Sequence, residues 1–398
     1  MRVPPSRNFR TLIGASVASQ LGDWAARLAL SLLVYERTGD PSTVGLVATI
    51  LVLPWLGPGQ WLAAWSDRLD RRRLLMGCDI VRGAVFVAIG FVNLPLPVLL
   101  PMIALAATID PVFEANRSAL IVDIVPEDDY PAAIQVAGAI NQASQLIGFS
   151  LGGVLSALLS PSGALALNGA SFLLSALLIS HIRVTSTTDR STTSPSLSQA
   201  YRFLADDPLS RTAVIVTFLT VAAAMAVESQ AVVYGSAVVG LDDVGTGLLA
   251  AIVPAATLLS IMDLRTDGDD REVLEQGLFL AVAAAIPAAI LLGGGFNRAS
   301  AFVGYAAVGL IFTFSTAANI AVGRRIPAES RAGTFGVLQA MVFLATSLGA
   351  ALGGVGADLV GSKQAAAIAM LVTAASSLAG VTLLRSRKVS EHEWSHLV

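Results

Sequence analysis

Apolar residues run through this chain in stretches of about twenty, broken by short polar segments. The stretches lie near 11–34, 43–65, 74–94, 97–116, 132–159 and 163–183, then 211–238, 244–262, 273–295, 299–320, 332–357 and 364–384. The hydrocarbon core of a bilayer takes about 20 predominantly apolar residues per helix. The pattern therefore predicts an all-α integral membrane protein with twelve transmembrane helices. Many of these are rich in Gly and Ala, the small residues through which membrane helices approach one another. Arg2, Arg7 and Arg10 precede the first run, as in a signal peptide, but the run continues to about Val34 without a cleavage pattern and reads as a retained helix.

The pattern repeats. At an offset of 201 residues Arg10-Thr11 matches Arg211-Thr212, Pro126 matches Pro327, and Leu151-Gly152-Gly153-Val154 matches Leu352-Gly353-Gly354-Val355. Near that offset Val34-Tyr35 pairs with Val233-Tyr234, Gly45-Leu46 with Gly247-Leu248, and Pro54 with Pro254. This implies two parallel six-helix repeats, a recurrent transporter plan. The expected organisation is an N-terminal half over 1–184, a linker over 185–206 and a C-terminal half over 207–398. The linker contains TSTTDRSTTSPSLSQ, whose Ser, Thr and Pro content is that of a flexible connection.

Composition agrees with the spans: 55% of the 398 residues are hydrophobic and 13% charged, with a mean hydropathy of +0.72. A soluble domain of this size could not cover so much apolar surface. Cys78 is the sole cysteine, so neither an internal disulfide nor a thiolate metal cluster is available. With the amino terminus placed in the cytoplasm, twenty Arg and Lys residues fall at cytoplasmic ends and loops, and three (Arg37, Arg298, Lys363) on the other side. That asymmetry is the positive-inside pattern, with both termini cytoplasmic.

Residues 66–73, SDRLDRRR, concentrate six charges between spans two and three. Arg alone would serve as an anchor, but Asp67 has no such use. The stretch Ala63-Ala64-Trp65-Ser66-Asp67-Arg68-Leu69-Asp70-Arg71-Arg72-Arg73-Leu74-Leu75 resembles the signature G-x-L-A-D-R-x-G-R-R/K-x-x-L of the major facilitator superfamily, with Ala63 and Asp70 in place of the two glycines. Followed by Asp79 and Arg82, it is similar to the drug:proton antiporter branch that includes macrolide and siderophore exporters. So are NFRTLIGASVASQLGDWAARLALSLLVYERTG, FEANRSALIVDIVPED and the Gly-rich fifth span, where Phe149 stands in place of a Pro. The resemblance implies the major facilitator fold and a conformational latch. Asp67 would meet a helix end of the opposite half, with Arg68, Arg71 and Arg72 completing the network and Asp79–Arg82 supporting it.

Ionisable groups inside spans are costly and mark function by default. Ser16, Gln20, Asp23 and Arg27 form one stripe on the first helix, beside Trp24, suited to a water-filled cavity. Asp23 is placed either to exchange a proton or to form a neutral i, i+4 pair with Arg27. Glu228, in span seven, lies 201 residues after Arg27 and has no neutralising neighbour in its span. It is a candidate proton carrier, or a counter-charge for cationic substrates. Asp110 and Glu114 share a face of span four, available for proton coupling or for pairing with Arg117. Gln142, Gln145, Asn168, Asn319 and Gln339 are candidates either for the cavity lining or for interhelical hydrogen bonds.

Other motifs carry no chemistry. His392-Glu393-Trp394-Ser395-His396 has the spacing of a zinc site but sits at the end of the sequence, without a third ligand. The loop from Asp263 departs from a calcium loop at Arg265 and Leu274. No G-x-x-x-x-G-K-[ST] loop is present, against direct coupling to ATP. The expected function is secondary active transport, a proton-coupled efflux of a small amphipathic compound through a bacterial cytoplasmic membrane, by a monomer without cofactor, metal or nucleic acid. An importer or facilitator, or a non-transporting receptor or enzyme on the same fold, are the alternatives.

Overall fold

A computed structural model describes residues 7–57, 59, 62, 69–126, 129–182, 197–262, 269–326 and 331–395. Among them Arg7–Thr38 forms α1 and Pro41–Val52 forms α2, which continues as a tight turn over Leu53–Leu56. Arg71–Phe91 is α3, Leu96–Ile124 is α4, and Tyr130–Ile179 is a kinked α5. Leu197–Asp206 (α6) is short; Pro208–Glu228 (α7) and Asp243–Met262 (α8) follow. Asp270–Gly294 (α9), Arg298–Ile311 (α10) and Thr313–Arg325 (α11) lead to Arg331–Val360 (α12) and Ser362–Ser395 (α13).

Nine helices among the described residues are long and apolar enough to cross a bilayer. One, Val136–Ile179, holds two spans: Ser160 leaves helical geometry (φ 70°, ψ 160°), and Pro161 opens the second helix. The Gly163 amide donates to Ser160 Oγ at 3.3 Å, capping that new start. With α1, whose apolar run carries Asp23 and Arg27, and the shorter apolar segment Pro41–Leu56, the chain is a twelve-helix membrane protein. Leu158, Leu259 and Leu359 are each at least 70% exposed, as lipid accepts and water would not.

Helix starts are written in the sequence. Asp40 and Asp207 each cap a helix whose first residue is Pro, accepting from Ser42 N at 3.1 Å and Ser210 N at 3.0 Å. Asp70 opens α3 by accepting from Arg73 N at 2.8 Å, and Asp269 forms a capping box with Glu272. The acids in the polar joints are thus partly accounted for as caps.

Packing divides the chain into two compact units, one of residues 1–191 with 241–251 and another of 192–240 with 252–398. In the first, α1 and α3 lie along α5, and Phe9, Leu75, Phe113, Leu120 and Ile179 build a core. In the second, α12 and α13 lie along α7 and α9 along α13, around Leu274, Phe314 and Val381. Glycines set the closest approaches. A Cβ on Gly152 would stand 2.6 Å from Ala25 O, and one on Gly148 3.0 Å from Leu21 O. In the second unit Gly349 and Gly353 meet Ala222 O and Ala226 O in the same way. Both glycines and both partners are displaced by 201 residues, so the sequence offset is also an offset of packing.

Candidate functional site

The buried charges of the first unit form one cluster drawn from three helices. Arg82 on α3 donates from Nη2 to Asp79 Oδ1 at 2.5 Å and from Nη1 to Asp110 Oδ1, on α4, at 2.7 Å. Its guanidinium lies over two aromatic rings, 4.4 Å from the centre of Phe113 and 4.3 Å from that of Phe172. Asp79 is fully buried. Donation to two carboxylates and contact with two aromatic rings fix the guanidinium, which Lys could not imitate.

Asp110 also faces α1. Arg27 Nη2 is 3.8 Å from Asp110 Oδ2 and 3.3 Å from Asp23 Oδ2, and the group lies 4.6 Å over the Trp24 ring. Asp23 and Arg27 keep 23% and 22% of their side-chain surface open. Trp24 in turn meets Phe149 edge-on, with ring centres 5.3 Å apart. The cluster joins five charges, the carboxylates of Asp23, Asp79 and Asp110 and the guanidiniums of Arg27 and Arg82, leaving one negative charge in excess. One turn before Asp23, Gln20 Oε1 is buried without a hydrogen-bond partner.

A second group lies farther along α4. Arg117, almost fully buried, holds Glu114 through Nε at 3.0 Å and through Nη2, and reaches Ser16 Oγ at 3.5 Å. Asp110 and Glu114 thus separate: one enters the cluster and the other pairs with Arg117. The arginines from the charged loop engage the first unit itself, Arg71 with Asp123 and Arg72 with the Ser180 carbonyl. Asp67 and Arg68 lie outside the described residues. Asp79 and Arg82 form the expected ion pair within α3, and Asp110 joins it to the cluster. Gln142 and Gln145 are half-buried along α5.

In the second unit Glu228 ends α7, half-buried, where the span breaks. Ser229 and Gln230 interrupt the helix before short turns over 231–238. No ion pair reaches Glu228 among the described residues. Beside it Tyr305 Oη donates to Val227 O at 3.2 Å, and Gln230 is buried with neither amide atom paired. Asn319 is exposed and lines a cleft with Thr217, Phe218 and Met341, where Thr217 Oγ1 has no partner. Phe113 and Phe172 escaped the sequence reading, although Phe113 stands one turn from Asp110, on its face of the helix. Thr217 gave no signal beyond a polar residue in an apolar run.

The sequence profile of the Major Facilitator Superfamily matches residues 12–265, more than half of the chain. The chain belongs to the major facilitator superfamily. It is accordingly a multi-pass membrane transporter, of a superfamily that is not one of enzymes. YfiS, an uncharacterized MFS-type transporter of Bacillus subtilis (strain 168), is 24% identical over 383 residues, 92% of this chain and 91% of its own. Among solved structures the chain is similar to a bacterial homologue of the human lysosomal transporter Spinster in an inward-facing, occupied conformation. The TM-score is 0.78 at 15% identity, over 96% of this chain and 98% of that one. A bacterial homologue of the iron transporter ferroportin, inward-facing, gives a TM-score of 0.70 at 15% identity, over 96% and 98%. At these identities the likeness speaks to the fold alone.

Proposed function

We propose that this superfamily member is a proton-coupled exporter of small amphipathic compounds, working by alternating access in a bacterial cytoplasmic membrane with both termini inside. The observation that carries the coupling is the charge cluster, in which three carboxylates face two guanidiniums at membrane depth. An uncompensated charge in a low-dielectric site is costly, and a proton or a cation relieves it. A ligand that interacts differently with the two facing states shifts the balance between them, and a proton at Asp110 or Asp23 is such a ligand. Glu228, free of ion pairs among the described residues, offers a second carboxylate in the other unit. Gln20, Trp24, Gln142, Gln145 and Asn319 then supply binding surface. The resemblance of the 66–83 stretch and of the first helix to drug:proton antiporters supports export, and Asp67 with Arg68 and Arg71 serves as the latch.

The test is reconstitution in sealed proteoliposomes carrying an internal pH dye. Adding amphipathic dyes such as ethidium or Hoechst 33342 on the loading side should move protons in the opposite direction, and Asp110→Asn should abolish that movement. Dye transport indifferent to an imposed pH gradient would remove the coupling. For the latch, Asp67→Asn should insert normally and fail to turn over; wild-type rates would refute it.

A further inference from the structure

The two guanidiniums of the cluster are held very differently. Arg82 is clamped at 2.5 and 2.7 Å between carboxylates, lies over two aromatic rings, and is almost wholly buried. Arg27 is shared at 3.3 and 3.8 Å between Asp23 and Asp110, covers one face of Trp24 at 4.6 Å, and remains partly open. The first arrangement is a fixed strut. The second is what a loosely bound ligand looks like.

We infer that Arg27 is a tethered stand-in for a cationic substrate, occupying the place where the cationic head of a transported compound binds. The inference deepens the proposed transport function and rests on it for the claim that the site faces a substrate.

The chemistry of the place defines the class. Two carboxylates on different helices, Asp23 on α1 and Asp110 on α4, converge on one positive group. An indole face beneath it favours a flat or diffuse cation over a compact, strongly hydrated one. Gln20 Oε1, buried one turn away without a donor, is a further acceptor on the same stripe. A guanidinium, amidinium or aryl-ammonium group fits all of these; a carboxylate or phosphate fits none. The charge count agrees. When Arg27 swings out and a monocation enters, the cluster keeps its resting charge, so exchange adds no buried charge to the membrane interior. Arg27 has the partial exposure to leave; Arg82, of the same length, is buried and clamped.

Deleting a positive residue that merely lined the site would relieve repulsion and strengthen cation binding whether or not the cation meets Trp24. Deleting a competitor also opens the seat over that ring, so the gain depends on Trp24. Binding of tetraphenylphosphonium and of benzamidinium to the purified full chain in detergent should therefore tighten about tenfold or more in Arg27→Ala, while Arg27→Lys stays near wild type. Trp24→Leu added to Arg27→Ala should reverse most of the gain. A neutral probe of similar size, triphenylphosphine oxide, should show no such gain. If Arg27→Ala does not yield folded protein, Arg27→Gln, which keeps most of the length without the charge, carries the same expectation. Failure of both variants to fold unless benzamidinium is present during purification would also support the stand-in. Unchanged or weaker cation binding in the folded variants, a gain that Trp24→Leu leaves in place, or failure to fold regardless of added cation, overturns it.

The outcome is separable from proton coupling. Tighter cation binding in Arg27→Ala with no substrate-driven proton movement in wild type would retain the stand-in and remove the coupling. Proton movement driven by neutral compounds, with cation binding indifferent to Arg27, would do the reverse.

Discussion

The two units share a packing scheme and differ in chemistry. In one, Gly148 and Gly152 seat α5 against Leu21 and Ala25 of α1; in the other, Gly349 and Gly353 seat α12 against Ala222 and Ala226 of α7. Yet the cluster has no counterpart. At the 201-residue offset Asp23, Asp79, Arg82 and Asp110 correspond to Ala224, Leu280, Ala283 and Ile311, and Arg27 to Glu228. The second unit reaches the same helix packing with aliphatic residues at four of five positions. A buried ionic cluster is therefore not a requirement of the bundle, and apolar replacement of such clusters is commonly neutral or stabilising. The first unit keeps five charges at membrane depth for some other reason, and transport is the activity the superfamily performs.

The glycine contacts should be the common foundation. Gly152→Leu and Gly353→Leu should each abolish monodisperse protein in size-exclusion chromatography, because the added side chain meets backbone that cannot retreat. Gly14→Leu, at an open position, should be tolerated. Unequal outcomes for Gly152 and Gly353 would break the parallel between units.

The cluster sharpens the contrast. Arg82→Ala leaves Asp79 and Asp110 without their fixed cation and should destabilise by about 3–5 kcal/mol, read as a lower thermal midpoint in detergent. The triple variant Asp79→Leu, Arg82→Ala, Asp110→Ile, which copies the second unit, should recover the midpoint and still not transport. If the triple variant is as unstable as Arg82→Ala, the cluster is structural after all. Asp110→Asn alone should leave the protein folded and lower substrate-driven proton movement at least about tenfold, since a proton-transfer role has no substitute in an amide.

The smallest effect lies outside the membrane, at the arginine-rich end of the second unit. Asp207 caps α7 and accepts from Arg325 Nε and Nη2 at 2.9 and 2.8 Å. Partial burial pushes its carboxyl upward, but hydrogen bonds from Arg325 and Ser210 outweigh this and hold it below the usual carboxylate range. A depressed value means that the stabilisation is present above about pH 4, the ordinary Asp value, and fades as pH falls through the lowered one. Arg325→Ala should cost only about 0.5 kcal/mol, as exposed pairs do, and flatten that acid limb of the stability profile.

Much of the fold was legible because a bilayer is a severe solvent. Lengths of apolar runs, Asp-Pro starts and the Gly pattern are local properties, and each has one physical meaning at membrane depth. The helices themselves overran the apolar runs. α4 continues to Ile124, beyond the expected end near 116, because its last turns bury Leu120 and Ile121 in the unit's core. The site was legible as a set of suspects. Asp23, Arg27, Asp79, Arg82 and Asp110 stand out in any reading that prices intramembrane charge.

What the sequence determined by itself was the solvent, the twelve spans, the repeat and the list of charged residues worth explaining. Only the tertiary structure decided who pairs with whom. Asp79 and Arg82 read in sequence as an ion pair; the structure has that pair and adds Asp110 from another helix and two aromatic rings against the guanidinium. Asp110 and Glu114 read as one face, yet they have separate partners. Periodicity fixes which face of a helix a residue occupies, but not the rotation and height at which neighbouring helices bring their faces together. Those are set by the sum of many small contacts, the glycine seats foremost, and the pairing of charges follows from them.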